Sequence, residues 1–131
     1  MTAVEPAVRA FWSAVESRDL DTISACFTED ATYANVPHPP ARGRAQIRAM
    51  FAPIVSRATR IAWQIRSFAV SGDIALAERV DRFWIDGRIY QIECTGVYRV
   101  DQATGLVAEV RDYVDLAVWR ARLGGVLART P

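Results

Sequence analysis

Lysine is absent from this sequence, and histidine and cysteine are rare. All 16 basic residues are arginine, one histidine stands at position 38, and the two cysteines are Cys26 and Cys94. A single histidine excludes a multi-histidine metal site and makes any serine or cysteine triad depend on the Pro-flanked His38. The cysteines lack CxxC spacing, so we interpret both as small buried residues. We therefore expect no cofactor and no bound metal.

Long hydrophobic runs and a strong charge imbalance are missing as well. No apolar stretch approaches the ~20 residues needed to span a bilayer. The N-terminal residues MTAVEPAVRAFW lack a basic region followed by an apolar run, so a cytoplasmic protein is expected. The 16 arginines against 15 acidic residues leave a net charge of +1, which favours neither nucleic acid nor a membrane as partner. A small neutral ligand fits this composition better.

Helical periodicity dominates the first part of the chain. With 131 residues, 51% of them hydrophobic, the sequence predicts a single domain spanning residues 1–131. A first amphipathic helix is expected over residues 6–18. Asp21 is expected to cap a short second helix that carries Ile23 and Phe27, and Gly43 to precede a third. The apolar stripe predicted for that third helix consists of Ile47, Met50, Phe51, Ile54 and Val55.

From Arg60 onward the pattern changes to period two, which is typical of strands. Helices followed by a strand meander predict an α+β fold, in which a curved, mostly antiparallel sheet wraps around the N-terminal helices as a cone. A C-terminal helix follows. Such a sheet leaves a pocket on its concave side. The predicted segments are a strand near 61–68, a turn at 71–73, strands at 74–85, 88–100 and 106–116, and a helix at 117–127.

Asp86-Gly87 is a strong signal for a two-residue hairpin turn. This turn pairs Arg79 with Cys94, Asp81 with Ile92 and Phe83 with Tyr90, all on one face. If Val100 also opposes Leu106, Asp112 lies opposite Cys94, whose small side chain would let the Arg79 guanidinium reach both aspartates.

Two other interpretations of these charges stay open at this point. Arginine and aspartate on strands often form a solvated surface pair of little consequence. The opposite alternation phase would instead turn Glu78, Val80 and Arg82 inward.

Four short segments, in this order and spacing, resemble the limonene-1,2-epoxide hydrolase family, within the wider nuclear transport factor 2-like and SnoaL-like cone folds. The resemblance covers most of the chain. It implies an enzyme that adds water directly to a small hydrophobic epoxide, terpene-like or cyclic, to give a vicinal diol. The four segments are TYANVP at 32–37, PPARGR at 39–44, ERVD at 78–81 and RDYVDL at 111–116.

The resemblance also implies a role for each residue of the site. Asp112 would be the general base, Asp81 the acid that protonates the epoxide oxygen, and Arg79 the link between them. Tyr33 and Asn35 would hold the attacking water together with Asp112. The residues alone leave open which aspartate carries the proton, because Arg79 lowers both pKa values and burial raises both. The expected substrate pocket includes Phe83, Ile92 and Cys94.

Other functions and an assembly state also have to be considered. A ketosteroid-isomerase-like or polyketide-cyclase-like enzyme would need one acid/base carboxylate and no arginine between two. A non-catalytic protein that binds a hydrophobic ligand or a protein partner would need no charged group in the cone. Convergence of Arg79, Asp81 and Asp112 would favour the hydrolase. The outward residues expected to form an apolar homodimer interface are Trp84, Thr95, Val97 and Tyr113.

Overall fold

The computed structural model describes residues 3–128, which form an α+β fold with one six-stranded sheet. The helices are α1 (Val4–Ser17), α2 (Leu20–Ala25), α3 (Gly43–Arg57), α4 (Leu116–Trp119) and α5 (Gly125–Ala128), with a π-helical turn (Arg120–Gly124) between the last two. The strands are β1 (Phe27–Val36), β2 (Ala41–Arg42), β3 (Arg60–Ser71), β4 (Ile74–Ile85), β5 (Arg88–Asp101) and β6 (Leu106–Val114). These elements agree with the predicted cone of helices and strands.

The first two helices differ from the prediction at their boundaries, and α1 spans Val4–Ser17 where residues 6–18 were predicted. The helix α1 buries the predicted apolar stripe, with Phe11 as its centre. The helix α2 is capped by Asp19 and not by Asp21, because the Asp19 side chain accepts the Asp21 and Thr22 amides and so satisfies free N–H groups of the first turn. Phe27 was wrongly assigned to this helix. It begins β1 and is fully buried against the Phe11 ring.

The helix α3 begins at Gly43 itself, whose φ of +79° is open to glycine at little cost. Ile47 and Phe51 of the predicted stripe are buried. Met50, Ile54 and Val55 pack against the core with part of their surface still exposed. Because Met50 and Ile54 also line a cavity, the stripe serves both the core and the site.

The sheet is open and mixed, with strand order β2-β1-β6-β5-β4-β3. Four of its pairings are antiparallel, and β1 with β6 is parallel. The helix α1 packs against β3, β4, β5 and β6, so the concave face of the sheet encloses it. The Phe11 ring lies between 5.1 and 6.2 Å from the rings of Phe27, Tyr33, Phe51, Trp63 and Tyr98.

The predicted hairpin between β4 and β5 is confirmed, because Arg79 pairs with Cys94, Asp81 with Ile92 and Phe83 with Tyr90. Asp86 and Gly87 both have positive φ, as a two-residue turn of this kind requires. In the part of the chain that the structure describes, no helix is long and apolar enough to cross a membrane.

The predicted register between β5 and β6 is wrong by two residues. Asp101 and not Val100 opposes Leu106, and a β-bulge after Arg99 shifts the pairing by one more residue. Asp112 therefore lies opposite Gly96 and not opposite Cys94. A slip of one residue would have turned Asp112 out of the cone, but two slips restore the inward face.

Candidate active site

Arg79 is the centre of a buried cluster on the concave face of the sheet. Its side chain is 2% exposed and uses all five guanidinium and Nε hydrogens. Nε and Nη2 donate to the two carboxylate oxygens of Asp81 at 2.8 and 3.1 Å, and Nη1 and Nη2 donate to those of Asp112 at 2.9 and 2.8 Å. The second Nη1 hydrogen goes to the Tyr98 hydroxyl at 2.5 Å. One arginine thus holds both carboxylates by two edges of its planar fork.

Tyr33 and Asn35 approach Asp112 from the neighbouring strand β1. The Tyr33 hydroxyl donates to Asp112 Oδ2 at 2.5 Å, and Tyr33 is 3% exposed. Asn35 pairs with Asp112 in the parallel register, so their side chains share one face of the sheet. Within residues 3–128, the Asn35 amide contacts only the Met50 sulfur, at 4.0 Å, and Asn35 lines the cavity.

Three further aromatic and glycine residues surround the guanidinium of Arg79. The Trp63 ring lies beneath it, with 4.0 Å between the ring centroid and Cζ, a distance at which the cation is attracted to the ring face. The Tyr98 hydroxyl accepts from Arg79 and also from Trp12 Nε1, the latter at 3.0 Å. Gly96 leaves the space that the guanidinium and this hydroxyl occupy.

The pKa shifts in the cluster separate Asp81, which can be protonated, from the Tyr33 hydroxyl, which stays protonated. Burial raises the pKa of Asp81 to about 6, although the charge and hydrogen bonds of Arg79 lower it. Burial and the Asp112 carboxylate raise the pKa of Tyr33 well above its usual value, so this hydroxyl stays protonated and donates. Burial alone would lower the pKa of Arg79, but Asp112 and Asp81 raise it well above its usual value. Asp81 is therefore a carboxyl that can be protonated near neutral pH.

The cluster opens into a mainly apolar cavity of about 410 Å³. The cavity lies between the concave face of the sheet, α3 and the C-terminal helical segment. Burial raises the pKa of the Cys94 thiol, and the Asp112 carboxylate adds to this, so the thiol stays neutral. Within residues 3–128, no group of three metal-ligating side chains could hold an ion. All eight predicted site and pocket residues line the cavity: Tyr33, Asn35, Arg79, Asp81, Phe83, Ile92, Cys94 and Asp112.

Comparison with known proteins agrees with this fold and gives it a family. The model of the SnoaL-like domain matches residues 8–110. This chain belongs to the SnoaL-like domain family. The match includes Tyr33, Asn35, Arg79 and Asp81 and ends shortly before Asp112.

The relatives of this SnoaL-like protein include epoxide hydrolases. Epoxide hydrolase EphG of Mycobacterium tuberculosis (strain ATCC 25618 / H37Rv) is 29% identical over 125 residues, which are 93% of this chain and 80% of that protein. The structure of an M. tuberculosis LEH-like epoxide hydrolase has a TM-score of 0.76 at 29% identity and covers 96% of this chain and 92% of its own. The resemblance inferred from the four sequence segments is thereby confirmed.

Another similar structure is that of an isomerase and not of a hydrolase. Delta 5-3-ketosteroid isomerase from Mycobacterium sp. has a TM-score of 0.79 at 20% identity, covering 90% of this chain and 97% of its own. At that identity the similarity concerns the fold alone, because one fold can support unrelated reactions. The site residues of the SnoaL-like chain must therefore carry any functional conclusion.

Three residues of the cluster in this SnoaL-like chain were not predicted from the sequence: Tyr98, Gly96 and Trp63. The confirmed hairpin register already places Gly96 and Tyr98 on the same face as Cys94, so a glycine at an inward position was a usable signal of close approach. Trp63 was missed because β3 has a bulge between Ile65 and Ser67. The bulge shifts the register by one residue and so places Trp63 opposite Asp81. The roles suggested for the site residues stay predictions.

Proposed function

We propose that this protein is an epoxide hydrolase that adds water directly to a small hydrophobic epoxide to give a vicinal diol. The observation that carries this proposal is the Arg79 fork, which holds Asp81 and Asp112 together at the wall of an apolar cavity. An arginine with two carboxylates that share one proton has no net charge, which is the least costly state in such a cavity. Epoxide opening at neutral pH needs both a base for water and an acid for the departing oxygen.

In the proposed reaction, Asp112 removes a proton from a water molecule that Tyr33 and Asn35 hold beside it. The water oxygen forms a bond to one epoxide carbon, the bond between that carbon and the epoxide oxygen breaks, and Asp81 gives its proton to that oxygen. The product is a diol, with the proton now on Asp112 and the negative charge on Asp81. Transfer of this proton back to Asp81 restores the starting state.

The assignment of Asp81 as the acid follows from its raised pKa of about 6 and from its position. Asp112 accepts three hydrogen bonds, two from Arg79 and one from the Tyr33 hydroxyl. Asp81 accepts two, both from Arg79. The carboxyl with fewer stabilising donors is the better proton donor.

The convergence of Arg79, Asp81 and Asp112 favours the hydrolase over the alternatives. A non-catalytic ligand-binding protein gains nothing from two buried carboxylates, which are costly in an apolar cavity. A ketosteroid-isomerase-like or polyketide-cyclase-like reaction needs one such carboxylate and no arginine bridge. We further propose a terpene-like or cyclic epoxide as substrate, a cytoplasmic location and a homodimeric state, with no nucleic acid or membrane partner.

Diol formation from a panel of terpene and cycloalkene epoxides is the first test of this function. A single turnover in oxygen-18 water, with the enzyme in excess, then tests direct attack. We expect the label in the diol of the first cycle and none in the Asp81 or Asp112 peptides. Unlabelled first-cycle diol together with a labelled aspartate would instead indicate an ester intermediate on the protein. Absence of diol from every epoxide would contradict the function itself.

A further inference from the structure

Within the described residues, the Arg79 guanidinium donates hydrogen bonds to the two aspartates and to one further side chain, Tyr98. The side chain is fully buried, and its hydroxyl accepts the Nη1 hydrogen at 2.5 Å. Nη1 also donates to Asp112 Oδ1 at 2.9 Å. The direction of the Nη1 group therefore depends on two acceptors, one on the base and one on Tyr98.

Gly96 shows that the contact between Arg79 and Tyr98 requires a particular space. A Cβ atom at position 96 would lie 2.5 Å from the Tyr98 hydroxyl oxygen and 2.9 Å from Arg79 Nη1. Both distances are shorter than real Cβ contacts. Because Gly96 pairs with Asp112 across β5 and β6, the open space lies directly beside the carboxylate that the guanidinium must reach.

Trp12 also restrains the Tyr98 hydroxyl. Its Nε1 donates to the Tyr98 oxygen at 3.0 Å, and the two rings meet edge to face at 5.7 Å. A phenolic oxygen that accepts two N–H groups has both lone pairs in use. The helix α1 thereby fixes the acceptor, and the acceptor fixes one edge of the Arg79 fork.

We propose that Tyr98, restrained by Trp12 and given room by Gly96, is a positioning residue that sets the rotation of the Arg79 guanidinium between Asp81 and Asp112. This inference rests on the proposed epoxide hydrolysis for its effect on rate, while the positioning itself is a property of the resting protein. Without the hydroxyl, Nη1 keeps a single acceptor, and the fork can rotate away from the geometry that serves both carboxylates.

Tyr98→Phe is the direct test, because it removes the hydroxyl and keeps the ring. We expect kcat to fall about tenfold, the loss typical of one hydrogen bond to a charged group, with KM changed little because Tyr98 does not line the cavity. Tyr90→Phe is the matched control, since Tyr90 is a half-buried tyrosine on the same strand outside the cluster. A kcat within twofold of the parent, or a change in KM alone, would contradict the proposal.

The pH profile distinguishes positioning from a loss of packing. The charge and hydrogen bonds of Arg79 lower the pKa of Asp81, so a loosened fork should let that pKa rise and move the alkaline limb of activity to higher pH. Trp12→Phe, which leaves the Tyr98 hydroxyl in place but unrestrained, should move the limb in the same direction with a smaller loss of kcat. An unmoved limb in both variants would make Tyr98 a packing residue only.

Nitrogen-15 NMR of the Arg79 side chain tests the positioning without any substrate. In the parent protein, rotation about the bond from Cζ to Nη1 should be slow, with the Nη1 hydrogens protected from exchange. Tyr98→Phe should speed up this rotation, whereas Tyr90→Phe should not. Equal rotation in parent and Tyr98→Phe would overturn the inference. A parent that forms no diol would refute the proposed hydrolysis and leave this NMR result to decide the positioning.

Discussion

At the scale of single residues, the site depends on how one arginine divides its hydrogen bonds. Both aspartates are nearly inaccessible to solvent, Asp81 at 5% and Asp112 at 3%. A buried carboxylate without partners would be very costly, and the five donors of Arg79 remove most of that cost. The same donors hold both groups at the wall of the cavity. Stability and the proposed chemistry therefore depend on the same contacts.

Replacing either aspartate by asparagine should abolish most diol formation. Asp112→Asn removes the base and Asp81→Asn the acid, and we expect each to lower kcat by at least ~100-fold, since each half of a concerted proton transfer is worth that much. Steady-state kinetics with circular dichroism as a check of folding would measure this. Asp30→Asn, at an exposed position of β1, is the matched control. Near-normal turnover by folded Asp81→Asn would refute the acid assignment.

Arg79→Lys should also fail, despite keeping the charge. Lysine offers three donors from one point, whereas Arg79 holds both carboxylates along two edges. We expect kcat/KM to fall ~100-fold, because a lysine would hold neither Asp81 nor Asp112 in its present position. Kinetic measurement alongside a thermal melt separates this loss from unfolding. Activity within a few fold of the parent would make Arg79 a structural residue only.

The pH dependence of activity follows from the Asp81 carboxyl. Burial raises its pKa to about 6 in the folded protein, with Arg79 lowering it and Asp112 raising it. Because the protonated form is the proposed acid, kcat/KM should be highest below this value and decline as the pH rises through it. Rates measured from about pH 5 to 8 test this. Activity that rises across that range would indicate that Asp81 acts as a base.

At the scale of elements, the β4 and β5 hairpin was predictable and its neighbouring pairings were not. A two-residue turn at Asp86-Gly87 determines the register by itself, so the inward face of Arg79 and Asp81 followed from local sequence. The bulges after Arg99 and Ile65 leave no such signal. They depend on how the curved sheet closes over the helices, which is a property of the whole fold.

These bulges explain which site residues the sequence could identify. Asp112 was placed on the correct face only because its register error amounts to two residues, which keeps the face. The family resemblance carried its assignment. Trp63 could not be found, because an unbulged hairpin would have put it on the other face from Asp81. Tyr33 and Asn35 likewise needed the resemblance, since a parallel pairing of β1 with β6 joins residues far apart in the chain.

The C-terminal helical segment, Leu116–Trp119 to Gly125–Ala128, forms a wall of the cavity through Trp119 and Leu127. Arg57 Nη1 donates to the Val126 carbonyl at 2.9 Å and Arg122 Nη1 to the Gln91 carbonyl at 2.7 Å, which fastens the segment to α3 and β5. Because these two hydrogen bonds hold the segment in place, a side chain of the segment that faces the cavity can be replaced without detaching the segment.

Trp119→Ala should therefore weaken substrate binding more than it slows the reaction. The indole contributes apolar surface to the cavity, and its loss should raise KM about tenfold at nearly constant kcat, as the burial energy of a large side chain predicts. Val126→Ala is the control, because Val126 is buried on the same segment but does not line the cavity. A fall in kcat with unchanged KM would assign Trp119 to the chemistry and not to binding.

At the scale of the whole molecule, the convex face of the sheet carries several exposed large apolar residues. Leu76 pairs with Val97, Trp84 with Ile89, and Thr95 with Tyr113, so these six residues share that outer face. Leu76 is 42%, Ile89 58% and Tyr113 49% exposed. Charged residues lie among them on this face, because Glu78 pairs with Thr95 and Arg111 with Val97. Such a mixture of apolar and charged groups is common in interfaces between protein chains. The predicted residues Trp84, Thr95, Val97 and Tyr113 belong to it.

We predict that two copies associate through this outer face in an isologous dimer, since a twofold axis pairs the same patch on both chains. Light scattering at working concentrations should then give about twice the chain mass of 14.6 kDa. Tyr113→Glu should shift the mass to that of one chain, because the twofold axis brings the added charge into the interface from both copies at once. Ala45→Glu adds the same charge on an exposed position of α3 and should leave the dimer intact.

A parent protein that scatters as a single 14.6 kDa chain would contradict the dimer. A Tyr113→Glu variant that stays dimeric would place the contact elsewhere. Because the cavity opens on the concave side, the monomeric variant should keep its kcat.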